Sequence, residues 1–151
     1  MRTHAAAGGS DPLLRTLADF RYELRRFLQF SESAAMGAGL QPQQHQLLLQ
    51  VAGAPEGMAV TIAYAAGRLG LKHNSAVELV DRSVREGLLN RKSDVEDKRR
   101  AILHVTPRGR HLLGQLSGDH ARELTEMGPR LERALRQMRV HASEIAGVEA
   151  R

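Results

Sequence analysis

The 151-residue chain contains no cysteine. A disulfide framework, a thiolate metal site and thiol-based peroxide sensing are therefore excluded within it. Its seven histidines are scattered, and no two stand at helical ligand spacing. His45, His73 and His104 are followed four residues later by Leu49, Val77 and Arg108, so a zinc or iron site is disfavoured. No apolar run is long enough to span a bilayer, and residues 1–11 lack the apolar centre of a signal peptide. There is no P-loop, nucleophile elbow, Gly-rich dinucleotide turn, internal repeat or low-complexity segment. These absences lead to the expectation of a cytoplasmic protein with no membrane partner, no metal, no cofactor and no catalytic residues.

What is present has a globular balance, with 42% hydrophobic and 26% charged residues, and the length suits one domain. Residues 1–11 are small and polar and read as a flexible tail, which leaves 12–151 as the single domain. The net charge is +5 and the isoelectric point about 10.4, values that suit a polyanionic partner. The excess is not spread evenly. Residues 68–111 hold eleven Lys/Arg against six Asp/Glu, while the rest of the chain holds eleven of each.

Periodicity divides the chain into elements. Leu13, Leu17, Phe20, Leu24 and Phe27 form one helical seam, which Gly37 and Gly39 can end. Pro42 suits the first turn of a second helix carrying Leu47, Leu48, Leu49 and Val51, and Gly53, Pro55 and Gly57 break it. Thr61 suits a cap for a short helix whose inward stripe is Ile62, Ala65, Ala66 and Leu69. Gly70 and Leu71 turn into a further helix running to about Glu86. Its apolar face is Ala76, Leu79, Val80, Ser83 and Val84; Asn74, Ser75, Glu78, Asp81, Arg82 and Arg85 lie opposite. Two helices joined by a short Gly-containing turn fit a helix-turn-helix.

Gly87 closes the second of these helices. Leu88–Lys92 and Arg100–Val105 then read as two strands around a charged loop, Ser93–Lys98, because Ala101, Leu103 and Val105 alternate with Ile102 and His104. The hairpin carries Arg91, Lys92, Lys98, Arg99 and Arg100 about its tip, as a wing would. Thr106 and Pro107 start a last helix with Leu112, Leu113 and Leu116. Gly128–Pro129 is expected to interrupt it, with Leu124, Met127, Leu131, Leu135 and Met138 striped across the break and Ile145 and Val148 beyond. The fold class is mainly α with a small β-hairpin wing.

The stretch Asp97-Lys98-Arg99-Arg100-Ala101-Ile102-Leu103-His104-Val105-Thr106-Pro107-Arg108-Gly109 resembles the wing signature of the MarR (multiple-antibiotic-resistance regulator) family. In that signature an Asp and an Arg two residues on lead through an alternating strand to Leu-Thr-x-x-Gly. Val105 replaces the Leu, and Arg100 stands where the family often has Ala or Ser. Leu79-Val80-Asp81-Arg82 with Glu86-Gly87-Leu88-Leu89 is similar to the family's recognition-helix end. Ala65-Ala66-Gly67-Arg68-Leu69 stands in place of Leu-Ala-x-x-Leu. The resemblance runs from about Leu13 to Val148.

It implies a winged helix-turn-helix lobe, about 42–108, flanked by N- and C-terminal dimerisation helices, about 13–36 and 109–148. The helices of two subunits interlock into a triangular homodimer, and the seams on 13–27 and 124–138 agree with this. The partners implied are double-stranded DNA, a second copy of the chain, and a small aromatic or phenolic effector that relieves repression. The effector binds between the dimer helices and the lobe.

On that reading Asn74 and Ser75 contact base edges in the major groove, with Lys72 and His73 beside them. Arg82 and Arg85 meet phosphates, or pair with Asp81 and Glu78 within the helix. Arg99 enters the minor groove with Lys98 and Arg100 nearby, and Asp97 orients that Arg or its loop. Arg21, Arg25 and His45 are the polar candidates for an effector. Two other functions stay open: a winged-helix module for protein interaction, and a small helical enzyme without DNA-binding function. Turnover of a substrate would favour the enzyme, and failure to shift any upstream DNA would favour the module.

Overall fold

Residues 11–149 are described in the computed structural model, with the side chains of 145, 146, 148 and 149 left out. The expected tail therefore lies outside the described residues except for Asp11, as do the side chains of Ile145 and Val148. Seven elements follow in order: α1 (Pro12–Gly37), α2 (Pro42–Ala52), α3 (Ile62–Leu69), α4 (His73–Arg85), β1 (Leu89–Ser93), β2 (Ala101–Val105) and α5 (Pro107–Glu149).

Local chemistry sets most of these boundaries. The Gln41 N–H donates to Gln44 Oε1 at 3.1 Å ahead of Pro42. Thr61 Oγ1 accepts from the Tyr64 N–H at 3.1 Å, and Thr106 Oγ1 accepts from the Gly109 N–H at 3.1 Å. Each bond satisfies a donor that a helix start leaves free. At the other ends, Gly70 and Gly87 take φ of +64° and +71°, a left-handed turn that costs glycine little. The Leu71 N–H then reaches the Ala66 carbonyl at 3.0 Å, and the Leu88 N–H reaches that of Ser83 at 2.9 Å. Both are Schellman closures.

The chain divides into two compact units, residues 31–121 and residues 1–30 with 122–151. The first of these holds the apolar core. Leu47 and Leu48 of α2, Ala65 of α3, Leu79 and Val80 of α4, and Leu113 and Leu116 of α5 are buried together with Leu88, Leu89, Leu103 and Val105 of the hairpin. A leucine taken fully out of water contributes about 1.5–3 kcal/mol, so this cluster secures α4 and the hairpin as one body.

The strands pair antiparallel from Leu89↔Val105 to Ser93↔Ala101. The hairpin also has a neighbour that periodicity does not reveal. Thr61 bridges Ile102, and the Leu103 N–H donates to the Val60 carbonyl at 2.8 Å. The segment before α3 thus protects the outer edge of β2, which an isolated two-stranded ribbon would leave open.

In the other unit the α1 seam is divided. Thr16 and Glu23 are buried, and Leu13, Phe20 and Phe27 are half-buried, whereas Leu17 and Leu24 are 38% and 40% exposed. The inward face is rotated toward Glu23 because that carboxylate is ion-paired, 3.1 Å from Arg130 Nε and 4.0 Å from Arg26 Nη1. A buried charge is tolerated when paired.

The break expected at Gly128–Pro129 does not occur. The helix α5 runs 43 residues with Pro129 inside it. Proline removes one ladder bond, at about 3 kcal/mol in a helix interior. Met127 and Ala134, buried on either side of it, provide packing that offsets this. No helix among the described residues is long and apolar enough to cross a membrane.

Candidate nucleic-acid interface

The helix α4 buries one face and exposes the other. Ala76, Leu79, Val80 and Ser83 are inside, and the Ser83 hydroxyl donates to the Leu79 carbonyl at 2.8 Å. Lys72 at the N-cap, then His73, Asn74, Ser75, Glu78, Arg82 and Arg85, are exposed. Asp81, half-buried, does not pair with the arginines of its own helix. Its carboxylate meets Arg91 of β1 at 2.8 Å, which ties the helix to the hairpin. Glu78, Arg82 and Arg85 form no ion pair among the described residues.

The C-terminal end of α4 is held by residues that the periodic patterns do not single out. Gln44 is buried, and its Nε2 donates to Glu86 Oε2 at 2.9 Å. Arg108 Nη1 donates to the Glu86 carbonyl at 3.1 Å, and the Thr106 hydroxyl donates to the Gly87 carbonyl at 2.6 Å. Thus α2, α4 and α5 converge on the turn after α4. The partners lie 42 and 22 residues apart in the chain, so no local signal announces them.

The hairpin tip is a set of short-range bonds. Asp94 Oδ1 accepts from the Glu96 N–H at 3.0 Å. Its Oδ2 accepts from Arg100 Nε at 3.0 Å, with Arg100 Nη2 on the same oxygen. These bonds, Arg100 first and the Glu96 amide second, hold the Asp94 carboxyl below the usual carboxylate range. Asp97 Oδ1 accepts from the Arg99 N–H at 3.0 Å and lies 3.4 Å from Arg99 Nε. Lys98 and Arg99 are exposed.

The three effector candidates fall in two units. Arg21 and Arg25 are exposed on α1 in the unit of residues 1–30. His45 is 3% exposed in the unit of residues 31–121, and its Nδ1 has no hydrogen-bond partner among the described residues. Its ring lies 5.1 Å from that of His120. His120 Nδ1 is 2.5 Å from the Leu116 carbonyl, and its Nε2 is 2.7 Å from Ser31 Oγ. A carbonyl only accepts, so His120 Nδ1 carries a proton and donates it to Leu116. Burial first, and His120 second, keep His45 below its ordinary value of 6.5. No group of three or more metal-ligating side chains occurs among the described residues.

Residues 38–100 match the MarR family. No curated protein matches the chain in sequence. Solved structures agree in fold. A MarR family transcription regulator is 18% identical at a TM-score of 0.71, over 91% of this chain and 92% of its own. A mutant of S. aureus MepR bound to an oligodeoxyribonucleotide is 18% identical at 0.62, over 85% and 94%. CouR from Rhodococcus jostii RHA1, bound to p-coumaroyl-CoA, is 23% identical at 0.62, over 80% and 84%. The match to the MarR family covers α2, α3, α4, β1 and the wing tip, and the likeness of fold to MarR family structures extends over most of the chain.

Proposed function

We propose that this chain is a sequence-specific DNA-binding transcription regulator, a cytoplasmic repressor that acts as a homodimer on a pseudo-palindromic operator. The observation that carries the proposal is the pairing, within one compact unit, of the exposed polar face of α4 with the basic hairpin tip. The oligodeoxyribonucleotide bound to S. aureus MepR supports the same reading. Asn74 and Ser75 read base edges, with Lys72 and His73 at the same helix end. Arg82 and Arg85 neutralise phosphates, and Arg99 with Lys98 enters the minor groove.

In this proposal residues 42–108 read DNA, and 13–36 with 109–148 dimerise. The apolar residues left exposed on α1 and α5, among them Leu17, Leu24, Leu124 and Leu135, are the faces a second copy covers. Two-fold symmetry then sets two recognition helices roughly 34–36 Å apart, one turn of duplex. The effector is a small aromatic or phenolic molecule, a class suggested by the p-coumaroyl-CoA in CouR. Its candidate contacts are Arg21 and Arg25 in one unit or His45 in the other, and no catalytic role is assigned to any residue.

The test is titration of the chain with its upstream DNA and with a random duplex at several salt concentrations. Arg99→Ala should weaken both complexes alike and reduce the slope of log affinity against log salt by about two per dimer. A wild-type chain that binds no upstream fragment overturns the proposal.

A further inference from the structure

We propose that Asp94 is a positioning residue of the wing that withholds Arg100 from DNA, so that the wing offers Lys98 and Arg99 and not all three cations. The inference rests on the DNA-binding reading above. It stands on the geometry of the tip, where Arg100 is bound to residue 94 through both backbone and side chain. The Asp94 N–H donates to the Arg100 carbonyl at 3.0 Å. In return the Arg100 guanidinium gives Nε, at 3.0 Å, and Nη2 to Asp94 Oδ2. The Arg100 N–H donates to the Asp97 carbonyl at 2.9 Å, which anchors the same residue a third time.

Asp94 has no oxygen to spare. Its Oδ1 holds the Glu96 N–H, and its side chain is only 11% exposed against 50% for Arg100. A phosphate that captured Arg100 would strip Oδ2 of both donors and leave a bare carboxylate facing a polyanion. Arg99 is differently placed. Its side chain is 94% exposed, and its contact with Asp97 is a single 3.4 Å approach, so moving it to DNA breaks little. Charge counting treats the three consecutive cations as equivalent. The bonding at the tip makes them unequal.

The proposal gives Arg100, at a position where the resemblance leads one to expect Ala or Ser, a task inside the hairpin. It also makes Asp94 a restraint on affinity, because removing its charge releases a cation. Each new phosphate contact steepens the salt dependence by about 0.9 in slope. The released cation therefore has a countable signature.

The experiment is a set of titrations of full-length dimer with duplex DNA at several salt concentrations. It uses the wild type, Arg99→Ala, Arg100→Ala, Asp94→Asn and the double variant Asp94→Asn/Arg100→Ala. Asparagine keeps an oxygen for the Glu96 N–H. Arg100→Ala should retain the wild-type slope, where Arg99→Ala loses about two per dimer. Asp94→Asn should steepen the slope by about two, and the double variant should return it to the wild-type value. A double variant as steep as Asp94→Asn, or an Arg100→Ala slope as shallow as that of Arg99→Ala, overturns the proposal. A DNA-free readout separates it from the DNA-binding reading. The Arg100 Nε–H resonance should exchange slowly with water in the wild type and fast in Asp94→Asn. Fast exchange in both removes the bond itself, whereas slow exchange with no salt-dependent binding by the wild type means that the DNA-binding reading has failed.

Discussion

Two glycines behave oppositely at the residue scale. A Cβ on Gly109 would lie 2.5 Å from the Leu88 carbonyl oxygen and 2.7 Å from Val105 Cγ1. Both are rigid neighbours, so the first turn of α5 would have to lift off the hairpin. Gly109→Ala should destabilise the protein on the order of 1–3 kcal/mol. Gly67, in the exposed interior of α3, has nothing within 4 Å of such an atom. Gly67→Ala should therefore stabilise by about 0.5–1 kcal/mol through the unfolded chain. Urea unfolding of both variants checks the pair, and equal signs would refute the steric account.

His45 supplies a pH dependence at the same scale. Its folded pKa lies below 6.5, through burial and then through His120. Above 6.5 both folded and unfolded forms are neutral, and the group is indifferent. As pH falls through 6.5 the unfolded chain takes up a proton that the folded chain refuses, so stability declines. His45→Leu should flatten the stability curve between pH 7 and 5, as measured by urea midpoints. An unchanged curve would mean that another group carries the titration.

At the scale of elements, α4 is the piece whose placement matters most. Its apolar face fixes its roll, Asp81–Arg91 ties it to the hairpin, and Gln44, Arg108 and Thr106 fix its end. A helix so held presents Asn74 and Ser75 in one orientation, as the proposed reading of base edges requires. Asn74→Ala should relax preference at one base position per half-site, costing on the order of 1–3 kcal/mol against the best sequence. The salt slope should stay unchanged, since no cation is lost. Competition with operators substituted at each position measures this, and a uniform loss across all of them would take Asn74 off the bases.

For the whole molecule the exposed apolar faces on α1 and α5 are the deciding feature. Leu24→Asp replaces a residue already exposed in the single chain, so it should leave the fold of that chain intact. In the proposed dimer it buries an unpaired carboxylate and should dissociate the pair. Light scattering should find a folded Leu24→Asp monomer beside a wild-type dimer. A wild type that stays monomeric at micromolar concentration removes the dimer.

Signals within a few residues of one another were legible in the sequence alone. Thr61, Gly70, Gly87, Thr106 and Pro107 mark element ends because capping and left-handed turns are local chemistry. The buried face of α4 and the hairpin follow from periods of 3.6 and 2. Tertiary structure decided what those rules cannot reach. Glu23 turns inward because Arg130, 107 positions along, meets it. Gln44 and Glu86 close the end of α4, and Val60 and Thr61 guard β2. Pro129 stays helical where a local rule breaks the helix. Pattern reading also sorts side chains by polarity, not by partner. It therefore took Arg100 for one more free cation, and only the folded tip sets that guanidinium against Asp94.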